Sequence, residues 1–342
     1  PGVHPPGSPR RRKRAMRGRS RLAAAAIAAV ALGALGWALW RGGILEPLMP
    51  GPPPLAYLCR AGPDCRVTML VRLAAAPFPF TPDPARNEPS PAGRYTDDRV
   101  LIHVPPGFDP AKPFRVLLYF HGHRSTLADT VVGRLGLPAQ VNAAGRNVIL
   151  VAPQLADDAV DSHPGKLLRP GSARRLVDAA LAKAAAALGV PAATLADGPV
   201  IVAAYSGGWW PAMETVTRGG LDGRIAALVL LDAFFGGEAA FADWVDHAPA
   251  RATLVALYSR ASATGAEDFR ARLSAADVEV ETALPAALKP GTVAVIRVET
   301  PHLEVPVDGP PKAPLAAILR RLPPFADNVL DPAALPRRAT AR

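Results

Sequence analysis

A serine stands where a run of β-branched and small apolar residues stops: Val200-Ile201-Val202-Ala203-Ala204-Tyr205-Ser206-Gly207-Gly208, with a helix-like stretch after it. Further along, His302 lies in Glu299-Thr300-Pro301-His302-Leu303-Glu304, in a loop bounded by Pro301 and Pro306. Between the two, Asp232 ends another apolar run in Leu230-Leu231-Asp232-Ala233. A hydroxyl is too weak an acid to attack a carbonyl carbon unaided, so a nucleophilic serine needs a base within hydrogen-bond reach. An imidazole titrates near neutrality and can both take a proton and return it. A carboxylate behind that imidazole fixes its tautomer and orientation. Serine, acid and histidine in this order can therefore cleave an acyl bond.

Each residue also has a simpler reading. Ser206 suits the cap of a helix starting near Gly207, and His302 suits a surface loop. Of the other histidines, His103 falls within a strand-like run, His247 ends a helical one and His163 lies in a long loop. The acid has rivals in Glu267 and Asp268, which follow a later apolar run. Thr264-Gly265-Ala266-Glu267 has the spacing of a capping box, however, and Asp268 suits a first helical turn. Asp232 is therefore the candidate acid, with Asp268 and Glu267 as alternatives. An oxyanion would be met by the backbone N–H groups of Gly207 and His123, the latter in His121-Gly122-His123. His121 and His123 also have the spacing of half a zinc site, but a third ligand is not evident in a matching place. The expectation is a site without metal or cofactor.

Short β-like runs must carry these residues. They read as Arg66 to Leu73, Arg99 to Val104, Phe114 to Phe120, Asn147 to Ala152, Val200 to Ala204, Ile225 to Leu231, Thr253 to Tyr258 and Val293 to Val298. Helical patterns fall between them, clearest at Ala173 to Leu188 and Glu238 to His247, and a last one at Leu315 to Arg321. Runs apolar on both faces that alternate with helices predict a mostly parallel sheet covered on both sides. The long loop Gln154 to Arg175 is placed either to shape the substrate site or to serve as a solvated connector. Of Trp209 and Trp210, one is expected in the core and the other beside the pocket.

With eight strands and the serine after the fifth, the sequence resembles the α/β-hydrolase fold over about residues 66–322. The resemblance is carried by Tyr119-Phe120-His121-Gly122, the turn at Ser206 and His302. It departs from the usual Gly-x-Ser-x-Gly at one point, where Ala204 replaces the first glycine. The resemblance implies a serine hydrolase of the esterase, lipase or amidase kind.

The net charge of +10 is concentrated at the amino end: eight Lys or Arg and no acid fall between Pro1 and Arg21, leaving +2 for the rest. No basic face is indicated, and nucleic acid is not an expected partner. Residues 22–40 carry no charge and, as a helix, span about 28 Å. Trp37 and Trp40 near one end, with Arg41 after them, complete a signal-anchor pattern, N-terminus in the cytoplasm. A cleaved signal peptide, with Ala34-Leu35-Gly36 at the cut, is the alternative. Both export the remainder, giving a basic tail (1–21), a transmembrane helix (22–40), a Pro-rich linker (41–65), a hydrolase domain (66–322) and a flexible tail (323–342). Cys59 and Cys65, the only cysteines, are expected to form a disulfide in that oxidising compartment. The sequence thus reads as an inner-membrane, single-pass serine hydrolase with a periplasmic catalytic domain and a small-molecule or envelope-derived acyl substrate. The alternative is a non-catalytic envelope protein of the same fold that binds a ligand or partner.

Overall fold

The computed structural model describes residues 55–323, except 90–94, 162 and 249–251, together with Gly2. The expected basic tail apart from Gly2, the apolar span 22–40 and nearly all of the carboxy-terminal tail lie outside the described residues. Among the described residues, no helix is long and apolar enough to cross a membrane.

The described strands form one sheet. In chain order they are β1 (Leu55–Gly62), β2 (Cys65–Arg72), β3 (Arg99–Val104), β4 (Arg115–Phe120), β5 (Val148–Pro153), β6 (Val200–Tyr205), β7 (Ile225–Leu231), β8 (Thr253–Tyr258) and β9 (Val293–Arg297). Their spatial order is β1-β2-β3-β5-β4-β6-β7-β8-β9. From β5 to β9 every pairing is parallel, whereas β1, β2 and β3 pair antiparallel with their neighbours and β3 runs antiparallel to β5. Strands β4, β5, β6 and β8 are buried at every position. That follows from their largely apolar content, dominated by Val, Ile, Leu and Ala, since a parallel strand covered on both faces has no polar side to present.

Alternation sorts these residues between two cores. Val116, Leu118, Val202 and Ala204 face one layer with α2 (Ser172–Leu188), α3 (Trp209–Arg218), α4 (Glu238–His247) and α5 (Ala263–Ala275). Leu117, Ile201, Ala203 and Tyr205 face the other, with α1 (Leu137–Ala144), α6 (Val305–Asp308) and α7 (Pro314–Arg321). The chain runs from β4 out to β5 and then crosses back past β4 to β6, which places the ends of β4 and β6 at the switch point of the sheet, where open α/β folds gather their functional groups.

Two expectations need correction. The sheet gains a strand: the residues assigned to the end of a linker form β1, which pairs along β2 from Leu55–Val71 to Gly62–Cys65. Alternating Leu55, Tyr57 and Cys59 suit a strand, and pairing covers what would otherwise be the exposed edge of β2. The Cys59–Cys65 disulfide does form, and it closes this hairpin. Thr264 lies inside α5, which starts at Ala263 after Ser262, so the capping box read at Thr264 is absent.

Candidate active site

Ser206 leaves β6 with φ of 51°, in the left-handed region that a residue with a Cβ rarely adopts. A 3-10 turn, Ser206–Gly208, follows and runs straight into α3. This strained strand-to-helix turn has the shape of a nucleophile elbow, which lifts a hydroxyl above the sheet. Two glycines permit it. A Cβ on Gly208 would lie 2.3 Å from the carbonyl oxygen of Phe120, and one on Gly122 would lie 2.8 Å from the Ser206 Cβ. The strand β4 and the loop after it thus press against the elbow through glycines on both sides. Ala204, in place of the usual glycine, is accommodated within β6, paired with Phe120 and Leu230.

The structure brings Ser206, His302 and Asp232 into one chain of hydrogen bonds. Ser206 Oγ donates to His302 Nε2 at 2.8 Å, and His302 Nδ1 donates to Asp232 Oδ2 at 2.7 Å. His302 is gripped around its ring: Tyr205 stacks on it at 5.2 Å and Phe235 meets it edge-on at 5.4 Å. Its loop is tied down as well. Tyr205 Oη donates to the His302 carbonyl at 3.3 Å, and Arg134 Nη1 donates to the Leu303 carbonyl at 2.8 Å.

Asp232 is fully buried at the end of β7, also with a positive φ of 49°. Besides His302 it accepts from the Ser259 N–H at 2.7 Å, from Ser259 Oγ at 2.5 Å and from the Ser262 hydroxyl. Burial pushes the carboxyl upward, but the bonds from His302, Ser259 and Ser262 outweigh it and hold the group below the ordinary carboxylate range. Asp268 is placed elsewhere, exposed on α5 in a 2.8 Å ion pair with Arg272 on the same helix, and Glu267 is exposed beside it. Neither alternative acid reaches His302.

The loop after β4 is organised from behind by His121. This ring is fully buried, which lowers its pKa to about 4, and it is therefore neutral at pH 7. Its Nε2 accepts from the Leu155 N–H at 2.9 Å and from Gln154 Nε2 at 3.0 Å, so the ring proton sits on Nδ1 and is donated to the Gly122 carbonyl at 2.9 Å. A trans peptide points its C=O and the next N–H in opposite directions. Turning the Gly122 carbonyl toward His121 thus turns the His123 N–H the other way. Both His121 nitrogens are occupied, which rules this ring out as a metal ligand. His123 lies close enough to His302 to feel its charge: partial burial lowers its pKa, Asp161 opposes this and His302 adds to it.

The long loop after β5 is fastened at several points. Gln154 is buried and donates to the Ser125 carbonyl while accepting the Leu127 N–H. Tyr95 donates to Asp161, and His163 packs among Phe78, Phe80, Tyr95 and Trp210. Trp209 packs on the core, as expected of one member of the pair. Sequence reasoning missed Ser259, Ser262, Tyr205 and Phe235. The serines read as turn residues after β8, and only their polarity in a loop without an acid could have pointed to them.

No protein-family model matches the chain, and no curated protein matches it. Solved structures with a similar backbone include a thermostable esterase from Pseudomonas putida, 13% identical, with a TM-score of 0.41 over 66% of this chain and 79% of that one. A feruloyl esterase module from Clostridium thermocellum complexed with sinapinate is 13% identical, with a TM-score of 0.37 over 72% and 92%. An S-formylglutathione hydrolase from Agrobacterium tumefaciens is 12% identical, with a TM-score of 0.40 over 66% and 90%. Independently of these likenesses, the strand order, the elbow at the switch point and the parallel core are those of the α/β-hydrolase fold.

Proposed function

We propose that the protein is a serine hydrolase that cleaves an ester or similar acyl bond, with Ser206 as nucleophile, His302 as base and Asp232 as the acid that orients it. The observation that carries this reading is the hydrogen-bonded chain Ser206–His302–Asp232, with links of 2.8 and 2.7 Å, set on a strained elbow. A buried carboxylate, an imidazole and a serine hydroxyl aligned in this way serve acyl transfer, whereas a binding module has no need of the alignment.

In the first half-reaction His302 Nε2 takes the Ser206 proton as Oγ bonds to the carbonyl carbon. The carbonyl π electrons move onto oxygen, where the Gly207 and His123 N–H groups receive the negative charge. Collapse breaks the bond to the leaving alkoxide, which takes the proton from His302. Water then repeats the sequence on the acyl-enzyme, releasing the acid and restoring Ser206. Asp232 stays ionised throughout and stabilises the imidazolium.

The protein acts outside the cytoplasm, held by a signal-anchor at residues 22–40. The supporting features are the basic segment before that apolar span and the Cys59–Cys65 disulfide, a bond that persists in oxidising compartments. Hydrolysis of p-nitrophenyl acetate by the full chain tests the activity: Ser206→Ala is expected to reduce kcat by at least about 1000-fold. Undiminished turnover by that variant would remove Ser206 from the mechanism.

A further inference from the structure

We infer that the site is built for esters whose acyl group is an apolar chain, received by Phe235, Leu303 and Val160. This rests on the serine-hydrolase reading above. Among the described residues four large apolar side chains are exposed: Leu58, Val160, Phe235 and Leu303, at 51, 65, 45 and 62%. Scattered singly, such residues are ordinary. Here two of the four, Phe235 and Leu303, ride on the loops that carry Asp232 and His302, and Val160 rides on the long loop after β5. Phe235 follows Asp232 by three residues and touches His302. Leu303 follows His302 directly, and the bond from Arg134 to its carbonyl fixes its backbone. Val160 follows Ala159, whose carbonyl accepts the Arg124 N–H at 2.7 Å and so joins the long loop to the loop of His123.

Two polar side chains on these loops are committed elsewhere. Asp161 is taken by Tyr95, and the Arg134 guanidinium by the Leu303 carbonyl. An apolar chain laid over these side chains would bury no charge, while a charged acyl group laid there would lose water without gaining a charged partner from them.

Fully burying one methylene is worth about fourfold in an equilibrium constant, and half-covering it about twofold. Six added methylenes, from acetyl to octanoyl, should then raise kcat/KM by about 60-fold. The test is kcat/KM of the full chain on p-nitrophenyl acetate, butanoate and octanoate and on mono-p-nitrophenyl succinate, below the micellar range. A rise of at least tenfold from acetate to octanoate is expected, with succinate slower than butanoate. Val160→Ser combined with Leu303→Ser should reduce the octanoate-to-acetate ratio by about fivefold or more. Should that variant fail to fold, the wild-type chain-length series decides by itself. Flat or falling kcat/KM with chain length, or preference for succinate (as the exposed Arg124 would favour), overturns the inference and leaves the hydrolase reading standing. Absence of turnover of any ester, together with no fluorophosphonate adduct, overturns both.

Discussion

The elbow makes an unequal demand on the two small residues that flank Ser206. At Gly208 an added Cβ would come within 2.3 Å of the Phe120 oxygen, 2.9 Å of the Phe120 carbon and 3.1 Å of the His121 oxygen. All three atoms are backbone, so no side chain can swing aside, and the shortest contact is about 1 Å inside ordinary packing distance. Relief requires the elbow or the Phe120–His121 loop to move by about that much, and either movement shifts Ser206 relative to the proposed oxyanion donors. Overpacking of this kind costs about 1–3 kcal/mol, and a displacement of about 1 Å at the chemistry costs about 100-fold in rate. Gly208→Ala should therefore remain folded with a lowered unfolding midpoint, yet lose at least about 100-fold in kcat on p-nitrophenyl acetate. Ala204→Gly restores the commoner pattern, removes one buried methyl from β6, and should cost about 1 kcal/mol with kcat within about threefold. Urea unfolding and steady-state kinetics on both variants decide the matter. Near-normal kcat for Gly208→Ala, or a greater loss for Ala204→Gly, would refute this account of the turn.

Asp232→Asn is expected to reduce kcat by about 1000-fold or more, as loss of the orienting carboxylate does in other triads, while Asp268→Asn, which removes only an exposed pair with Arg272, should be nearly silent; the opposite ranking in steady-state assays would move the acid to α5. Stability should fall between pH 7 and 4.5, because His121 binds its proton near 6.5 when unfolded and near 4 when folded. The unfolded state then holds more protons in that window, and the difference is about 2.5 kcal/mol at pH 4.5. Asp232 contributes its loss only below its unfolded value near 4, so it does not confuse the window. Urea midpoints of wild type and His121→Gln at the two pH values check this, the variant showing the smaller acid loss; equal losses would contradict it. Replacing both Cys59 and Cys65 by serine should lower stability by about 2 kcal/mol through the reopened hairpin loop. In spheroplasts, protease should digest the domain and a thiol reagent should label neither cysteine before reduction; a protected domain with free thiols would contradict export.

The core strands were legible because each is an apolar run of a strand's length, and both-face burial leaves few other readings. Strand β1 was not, since Pro47 to Pro54 run up to it and its partner β2 supplies the reason for it to be a strand. Ser206 and His302 were legible from local patterns, a strand-to-helix turn and a proline-bounded loop. The choice of acid was harder. Asp232 and Asp268 both follow sheet strands, and only the fold shows one buried against His302 and the other paired with Arg272. Ser259 and Ser262 act on Asp232 from a separate loop, a contact that spacing along the chain does not encode.

The central claim is that Ser206 is a nucleophile activated by His302. Treatment of the full chain with a fluorophosphonate probe, followed by peptide mapping, tests it most directly. The account predicts one adduct, on Ser206, formed at least about 100-fold more slowly in His302→Ala and absent in Ser206→Ala. An adduct at another residue, or labelling of Ser206 at an unchanged rate without His302, would contradict it.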